Sequence, residues 1–321
     1  MGLLYRIKEI LLRALRILLY PLVAFSKRLI LPGFRGIPLY NVIRFFIRGL
    51  RKSSIVIRAA AVSYSFILAA IPAVLFFFSL IPYIPINGIQ ELIIQSLSGI
   101  MPENAYEAIK GTIQDIVLNH RTGLLSFGFL GSIYFFSNGI VSLMNAFNQT
   151  SHTIETRPAL YRRLVSLLLV LILSILVIVA SGTLIGTRIF VDFLVGQDII
   201  HSDFSIFLIR AGEVFLLLVV ILFAYSSLYY LAPAKRGTIH FFSPGSVIGA
   251  LLSLITLQIF SYFIDNFGQQ NKLYGSLGTL MVILIWTNLN TLVILIGFEL
   301  NASIYDAKRA QKELLEEDDW M

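Results

Sequence analysis

Long stretches without a charged side chain dominate the pattern of hydrophobic and polar positions along the chain. About 20 apolar residues in a helix, with a rise of 1.5 Å each, cross the hydrocarbon core of a bilayer. Every one of these stretches is therefore long enough to hold a spanning helix. The pattern predicts an all-α, polytopic membrane protein with six transmembrane helices. They are expected within residues 59–90, 122–154, 164–187, 214–234, 241–264 and 273–298.

Helical periodicity also occurs outside the six stretches. In residues 6–27, apolar side chains form one helical stripe and basic side chains lie off it. This pattern is typical of a helix that lies in the headgroup plane and is attracted to anionic lipids. A simple topology anchor is the alternative interpretation. The loop 85–121 carries two periodic apolar sets, at 89–100 and 106–117, which predict two short amphipathic helices on the outer face.

The distribution of basic residues predicts the orientation of the chain. Twelve of the 25 Lys and Arg residues precede residue 59, and the loops after the second and fourth stretches and the C-terminal segment carry more of them. The intervening loops are poor in basic residues. Because basic loops stay in the cytoplasm, both termini are expected there, with the protein as a multi-pass component of the inner membrane.

Composition supports a membrane protein and removes several other classes. The chain is 57% hydrophobic and only 13% charged, whereas soluble domains carry about a quarter charged residues. The net charge of +7 is explained by membrane orientation, so no nucleic-acid partner is expected. Cysteine is absent, which excludes disulfides and thiolate ligands. We divide the chain into a basic interfacial segment (1–43), a six-helix domain (44–306) and an acidic cytoplasmic tail (307–321).

Polar side chains at membrane depth are the candidate functional residues, because an ionisable group there costs about 2.5–3.5 kcal/mol. Several of them repeat at helical spacing in the second, fifth and sixth stretches, so each set shares one face. Such stripes either join helices by hydrogen bonds or line a wet path for a polar solute. The predicted polar pathway consists of Asn138, Ser142, Asn145, Gln149, Gln258, Ser261, Asn288, Thr291 and Glu299.

Charged residues near the outer ends of the third and fourth stretches form a second candidate site. Arg188 ends the third stretch, and Arg210 and Glu213 lie at the start of the fourth. A short outer loop joins the two stretches. They predict an outer ion pair, which acts either as a structural clamp or as a gate. For Glu299, pairing with Arg309 or the inner loops is the structural alternative to a role in coupling.

Four segments of the chain resemble one known family. They are AAAVSYSFILAAIPAVL from residue 59, NAFNQTSHTIETRPALYRR from residue 145, YYLAPAKRGTIHFFSPG from residue 229 and YGSLGTLMVILIWTNLNTLVILIGFELNAS from residue 274. Over residues 44–305 the sequence resembles the YihY/virulence factor BrkB family of bacterial inner-membrane proteins. The motif residues are Tyr274, Gly275, Ser276, Gly278 and Asn301.

The resemblance implies an exporter or transporter with a role in the cell envelope. We expect transport of a polar solute or an envelope lipid precursor, with a non-transporting scaffold for lipids or partner proteins as the alternative. The family's former ribonuclease label finds no support, because His120, His152, His201 and His240 are isolated from one another. We therefore expect no enzyme activity, no catalytic residues, no metal and no cofactor.

Overall fold

The chain folds into eight α-helices over the residues described by its computed structural model. These residues are 21, 24–52, 54–84, 88, 90–91, 93–94, 103–150, 155–197, 203–234, 240–267 and 271–318. The helices are α1 (Leu39–Lys52), α2 (Ile55–Leu80), α3 (Glu103–Leu118), α4 (Thr122–Thr150), α5 (Ala159–Gly196), α6 (Asp203–Leu231), α7 (Pro244–Phe267) and α8 (Asn271–Asp318), and a 3₁₀ turn at Ile81–Tyr83 extends α2.

The six predicted spanning helices are confirmed. The apolar spans lie at Ile55–Tyr83, Thr122–Thr150, Ala159–Gly196, Phe204–Leu231, Pro244–Ile264 and Leu280–Glu313. The all-α fold class is also confirmed for the described residues, which include no strand. Helix α5 has 38 residues and α8 has 48. At 1.5 Å per residue they are about 57 and 72 Å long, so both extend beyond a hydrocarbon core of about 30 Å.

The six spanning helices form a closed ring. Each packs against its neighbours in the order α2, α4, α5, α6, α7, α8, and α8 packs back on α2. The closest pair is α2 with α4, where glycines allow near approach. A Cβ at Gly128 would lie 2.8 Å from the backbone nitrogen of Phe76, and one at Gly139 would lie 2.8 Å from the ring of Phe66. Small residues thus set the interhelical distance, as is usual in membranes.

Burial divides the ring into two halves. We call the end that holds Ile55, Thr150, Ala159, Leu231 and Pro244 the basic end, and the opposite end the far end. The basic end is the predicted cytoplasmic side. The main hydrophobic core lies toward the basic end. Toward the far end, the described side chains of 170–196, 204–224, 251–264 and 280–290 are half-buried or exposed. At the far end, α2 and α4 stay closely packed, whereas the described side chains of α5, α6 and α7 are exposed or half-buried.

Helix α1 lies against α8 at the basic end. Val42 of α1 packs with Phe34, Ile37, Leu300 and Ile304 in a second hydrophobic cluster. The predicted boundary between residues 43 and 44 falls inside α1, and the boundary between 306 and 307 falls inside α8. The three-part division of the chain stays a prediction. Most of the predicted interfacial helix 6–27 lies outside the described residues.

The outer loop contains one of its two predicted helices within the described residues. Helix α3 is amphipathic and packs Ile113 and Val117 against Ile81 at the far end of α2. Most of the first predicted loop helix, 89–100, lies outside the described residues.

Candidate functional site

A cavity of about 450 Å³ lies in the middle of the ring. All six spanning helices contribute to its walls, and apolar side chains such as Leu143, Leu176 and Leu254 predominate. Ligand pockets typically measure about 300–1,000 Å³, so the volume suits a small molecule or part of a larger one. Because side chains of every span line this cavity, it is the main candidate site.

Two polar contacts on the cavity wall are made within the protein. The hydroxyls of Tyr225 and Ser253 lie 2.5 Å apart. The side-chain amide of Asn290 donates to the backbone oxygen of Trp286 at 2.8 Å. Because these groups are already paired, the cavity offers mostly hydrocarbon contact. A ligand that fills it gains from burying apolar surface.

A layer of four aromatic side chains lies on the basic side of the cavity. The rings of Phe147 and Phe298 stack with centroids 4.1 Å apart. Tyr229 packs edge-on against Phe147 at 5.7 Å and against Tyr225 at 5.6 Å. The Tyr229 hydroxyl donates to the backbone oxygen of Ile294 at 2.7 Å. Phe147, Tyr229 and Phe298 are fully buried, so this aromatic layer closes the cavity toward the basic end.

Three glycines allow the helices to meet at the aromatic layer. A Cβ at Gly249 would lie 2.7 Å from the ring of Tyr225. A Cβ at Gly297 would overlap the hydroxyl of Tyr229, and one at Gly245 would overlap the backbone oxygen of Gly297. Helices α7 and α8 therefore touch backbone to backbone, and only glycine fits at the crossing.

A buried polar layer lies beyond the aromatic layer, closer to the basic end. The guanidinium of Arg58 lies 3.6 Å from the carboxylate of Glu299, and the two residues are 8% and 4% exposed. Arg58 also donates to the backbone oxygen of Ala146 at 2.7 Å and to the hydroxyl of Thr150. The Glu299 carboxylate sits directly on Gly49 of α1, where a Cβ would overlap it. The ion pair thus joins α2 to α8, and the further contacts of its two side chains connect α4 and α1 to the same point.

Asn301 caps the start of α7. Its side-chain oxygen accepts from the backbone N–H of Gly245 at 2.8 Å, and its amide donates to the hydroxyl of Ser243 at 2.8 Å. The first N–H groups of a helix have no partner inside the helix, and a side-chain acceptor satisfies them. The motif residue Asn301 therefore fixes α7 against α8 next to the glycine crossing.

A hydrogen-bonded clamp holds the loop between α4 and α5. The Glu155 carboxylate accepts from the guanidinium of Arg157 and from the amide of Asn148, each at 2.8 Å. Arg157 donates to the backbone oxygen of Ala232 at 2.9 Å, and Asn148 accepts from the N–H of Ala234 at 2.9 Å. The hydrogen bonds from Arg157 lower the pKa of Glu155 to about 2, against a smaller opposing effect of burial.

We expect the clamp to make stability depend on pH in the acid range. The folded-state pKa of Glu155 lies below the ordinary value of 4.5, so its contribution is complete above about pH 4.5 and is lost as the pH falls toward 2. Glu155→Gln should cost about 1–2 kcal/mol of unfolding free energy at pH 7, since the loop is partly hydrated. Thermal melting at pH 7, 5 and 3.5 measures this difference, which should be the same at pH 7 and 5 and smaller at pH 3.5.

The matched control for this experiment is Glu313→Gln. Glu313 pairs with Arg309 at 2.8 Å on the surface, where both side chains are more than half exposed. It should change the stability by less than about 0.5 kcal/mol. A deficit of Glu155→Gln that stayed constant from pH 7 to 3.5 would contradict the assignment.

The predicted polar residues do not line the central cavity. In the described part of the chain, the cavity wall and the predicted pathway share no residue. The predicted polar side chains therefore do not converge on one water-filled interior. They face neighbouring helices or the surface of the bundle. Their role in transport stays a prediction. Four of them are exposed on the outside of the ring, namely Asn145, Gln149, Gln258 and Ser261.

The remaining predicted pathway residues mostly join helices. The side-chain oxygen of Asn138 accepts from Arg163 at 2.6 Å, and the hydroxyl of Ser63 donates to that of Thr291 at 3.1 Å. Asn288 lines a lateral groove of about 380 Å³ between α2 and α8. Ser142 is half-buried. Glu299 pairs with Arg58 and not with Arg309, which forms its own pair with Glu313.

The predicted outer charges do come together. Arg188, Arg210 and Glu213 line a second cavity of about 500 Å³ at the far end of α5 and α6, together with Asp192 and Thr187. The predicted ion pair is absent from the described residues, since none of the four charged side chains bonds to another described residue. The charged side chains therefore leave open space between them. Their role as a gate or as a structural clamp stays a prediction.

One functional residue was missed by the sequence analysis, and several motif residues have side chains outside the described part of the chain. Arg58 counted only toward orientation, although its position between Ile57 and Ala59, inside an apolar run, marks it as a residue that needs a buried partner. The motif residues Tyr274, Gly275, Ser276 and Gly278 lie in the first turns of α8, and the side chains of 274–277 fall outside the described part.

The fold and the cavity define a polytopic α-helical membrane protein whose six spans surround an apolar chamber. The chain belongs to the Virulence factor BrkB family, whose sequence model matches residues 46–319. The match includes all six spans and both layers that close the cavity. The family predicted from the sequence motifs is thereby confirmed.

Curated relatives match over most of their own length. The ribonuclease-like protein YfkH of Bacillus subtilis (strain 168) is 28% identical over 261 residues, which are 80% of this chain and 92% of the relative. A UPF0761 membrane protein of Histophilus somni (strain 2336) is 23% identical and covers 83% of this chain and 90% of its own. Another from Vibrio atlanticus (strain LGP32) is 23% identical and covers 81% of each chain. No solved structure matches the chain.

Proposed function

We propose that this membrane protein moves an amphiphilic envelope lipid, or a lipid precursor, between the leaflets of the bacterial inner membrane. The observation that carries this proposal is the apolar cavity lined by all six spanning helices. A polar solute entering it would lose its hydration and gain few hydrogen bonds from the mostly apolar wall, which costs several kcal/mol. A lipid chain meets no such penalty, so a lipid suits the cavity better than a polar solute does.

The packing of the ring supports a transport role. The aromatic layer and the Arg58–Glu299 pair close the basic end, which we place in the cytoplasm. In the far half of the ring, the described side chains of α5, α6 and α7 are exposed or half-buried. This asymmetry corresponds to one state of a transporter whose chamber is reached from the outer leaflet. Opening the basic end and closing the far end would expose the chamber to the inner leaflet.

The proposal also includes binding of lipids at the cytoplasmic surface and no enzymatic activity. The basic segment 6–27 would bind anionic lipids at the cytoplasmic surface through its charges. The protein would act without catalytic residues, and the ribonuclease-like wording applies to the Bacillus relative by name only. In the described residues no three His, Asp or Glu side chains are grouped as metal ligands would be.

Filling the cavity should stop transport without unfolding the protein. Ala224 lies on the cavity wall in α6, so Ala224→Trp would occupy part of the chamber. We expect the movement of a chain-labelled fluorescent lipid across reconstituted liposomes to fall at least about tenfold, since the chamber could no longer admit a chain. Chemical quenching of the label in the outer leaflet measures the rate.

The matched control is Ala159→Trp at the basic end of α5, where the alanine is exposed and lines neither cavity. It should keep the wild-type rate. Equal rates for wild type and Ala224→Trp would contradict a route through this cavity. A wild-type rate no higher than that of protein-free liposomes would favour the non-transporting scaffold instead.

A further inference from the structure

The charged cavity at the far end contains an unusual balance of charges. Arg188 and Asp192 of α5 face it together with Arg210 and Glu213 of α6. The side chains of these four residues form no hydrogen bond or ion pair with any described residue. Two cations and two anions thus line about 500 Å³ without forming a direct ion pair with one another. Such a site complements a ligand that itself carries both signs of charge.

The charged cavity and the central cavity lie along the same pair of helices. On α5, the central cavity extends from Leu173 to Ala180, and the charged cavity begins at Thr187. On α6, the charged cavity ends at Glu213 and the central cavity begins at Val220. Each gap of seven residues spans about 10 Å at 1.5 Å per residue. The two cavities are therefore separate but lie in line along α5 and α6, with the charged one at the far end and the apolar one nearer the basic end.

The length of this line suits a lipid. From Arg188 to Leu173, and from Glu213 to Leu228, is 15 residues on each helix, or about 22 Å. One leaflet contributes about half of a hydrocarbon core of about 30 Å, and the headgroup adds to it. A lipid with its headgroup in the charged cavity would therefore place a chain in the central cavity.

The chemistry of the four side chains selects the headgroup. Arginine guanidiniums bind phosphate oxygens through paired, charge-assisted hydrogen bonds. Carboxylates accept hydrogen bonds from an ammonium group. A phosphate alone would meet two repelling carboxylates, and an amine alone would meet two repelling arginines. A headgroup with one phosphate and one primary ammonium satisfies both pairs.

We propose that Arg188, Arg210, Asp192 and Glu213 form a binding site for an aminophospholipid headgroup whose acyl chain occupies the central cavity. This inference rests on the proposed lipid transport and names its substrate class. The arginines bind the phosphate, and the carboxylates bind the ammonium.

Binding to the purified protein in neutral detergent tests the inference separately from transport. Native mass spectrometry would follow phosphatidylethanolamine, phosphatidic acid and diacylglycerol with identical chains. The wild type should bind phosphatidylethanolamine most tightly. Arg188→Gln with Arg210→Gln should weaken both phospholipids by about tenfold or more, because charge-assisted contacts to phosphate are lost. The affinity for diacylglycerol should not change.

The acidic pair provides the distinguishing variant. Asp192→Asn with Glu213→Gln should weaken phosphatidylethanolamine by about tenfold, while phosphatidic acid binds as well as before or better because two repelling charges are gone. Arg121→Gln is the control, since Arg121 pairs with Asp115 at 2.7 Å in an exposed far-end loop. Its affinities should match the wild type. All four positions are exposed or half-buried, so the variants should melt as the wild type does.

Three results would overturn the inference. One is equal affinity of the wild type for all three lipids. Another is an acidic double variant that loses no affinity for phosphatidylethanolamine. The third is full displacement of phosphatidylethanolamine by inorganic phosphate at equal concentration, which would indicate a site for a soluble anion. Lipid movement in liposomes that persists under any of these results would leave the transport proposal standing with another substrate.

Discussion

Replacing Arg58 with methionine should lower the free energy of unfolding by about 3–5 kcal/mol, because it leaves the buried Glu299 carboxylate without its cation. The guanidinium also holds the backbone oxygen of Ala146 at the end of α4. A loss of this size should reduce the melting temperature by roughly 10 °C in a protein of this length. Thermal melting of the detergent-solubilised protein measures the shift.

A double variant separates the charge from the packing. Replacing both Arg58 and Glu299 with methionine removes the two charges together, and buried pairs replaced by apolar residues are often neutral in stability. The double variant should recover at least half of the loss. Arg309→Met is the exposed comparison, since its pair with Glu313 lies on the surface and should contribute at most about 1 kcal/mol. Equal losses for Arg58→Met and Arg309→Met would refute a buried ion pair.

The second large effect is expected at the crossing of α7 and α8. In Gly245→Ala, the added Cβ would overlap the backbone oxygen of Gly297 and lie 2.6 Å from the side chain of Asn301. Backbone cannot move aside as a flexible side chain can, so overpacking should cost about 3 kcal/mol or more. The displacement would also disturb Tyr229 in the aromatic layer. The melting temperature and the yield of monodisperse protein report the change.

A glycine-to-alanine substitution elsewhere in the ring should stabilise the protein instead of destabilising it. Gly182 lies in α5, and a Cβ added there would meet no atom within 4 Å. Gly182→Ala should therefore stabilise the protein by about 0.5–1 kcal/mol, because alanine favours the helix over the unfolded chain. Equal melting temperatures for the two variants would show that the crossing tolerates a side chain.

The spans were predictable because their physical cause is local. A run of apolar residues needs about 30 Å of hydrocarbon and a helix to satisfy its own backbone, whatever its neighbours are. The family motif also contained more information than its spacing alone revealed. Gly297, Glu299 and Asn301 lie at every second position of α8. Gly297 and Asn301 both contact Gly245 of α7, and Glu299 pairs with Arg58 of α2.

The cavity was not predictable in the same way. Periodicity places Asn145 and Gln149 on one face of α4, but it does not say whether that face meets the interior, another helix or the surface. In the ring, Ile140 and Leu143 of the same helix face the cavity instead. The direction that a helix face takes depends on how all six helices pack, which no single segment encodes.

By itself, the sequence determined the six spanning helices and the family, because hydropathy and motifs act within one segment. Only the tertiary structure decided that Arg58 pairs with Glu299, that Gly245 meets Gly297, and that the chamber is apolar. The physical reason is that these contacts join residues distant in the chain, and they form only when glycines let the helices approach and the ring closes.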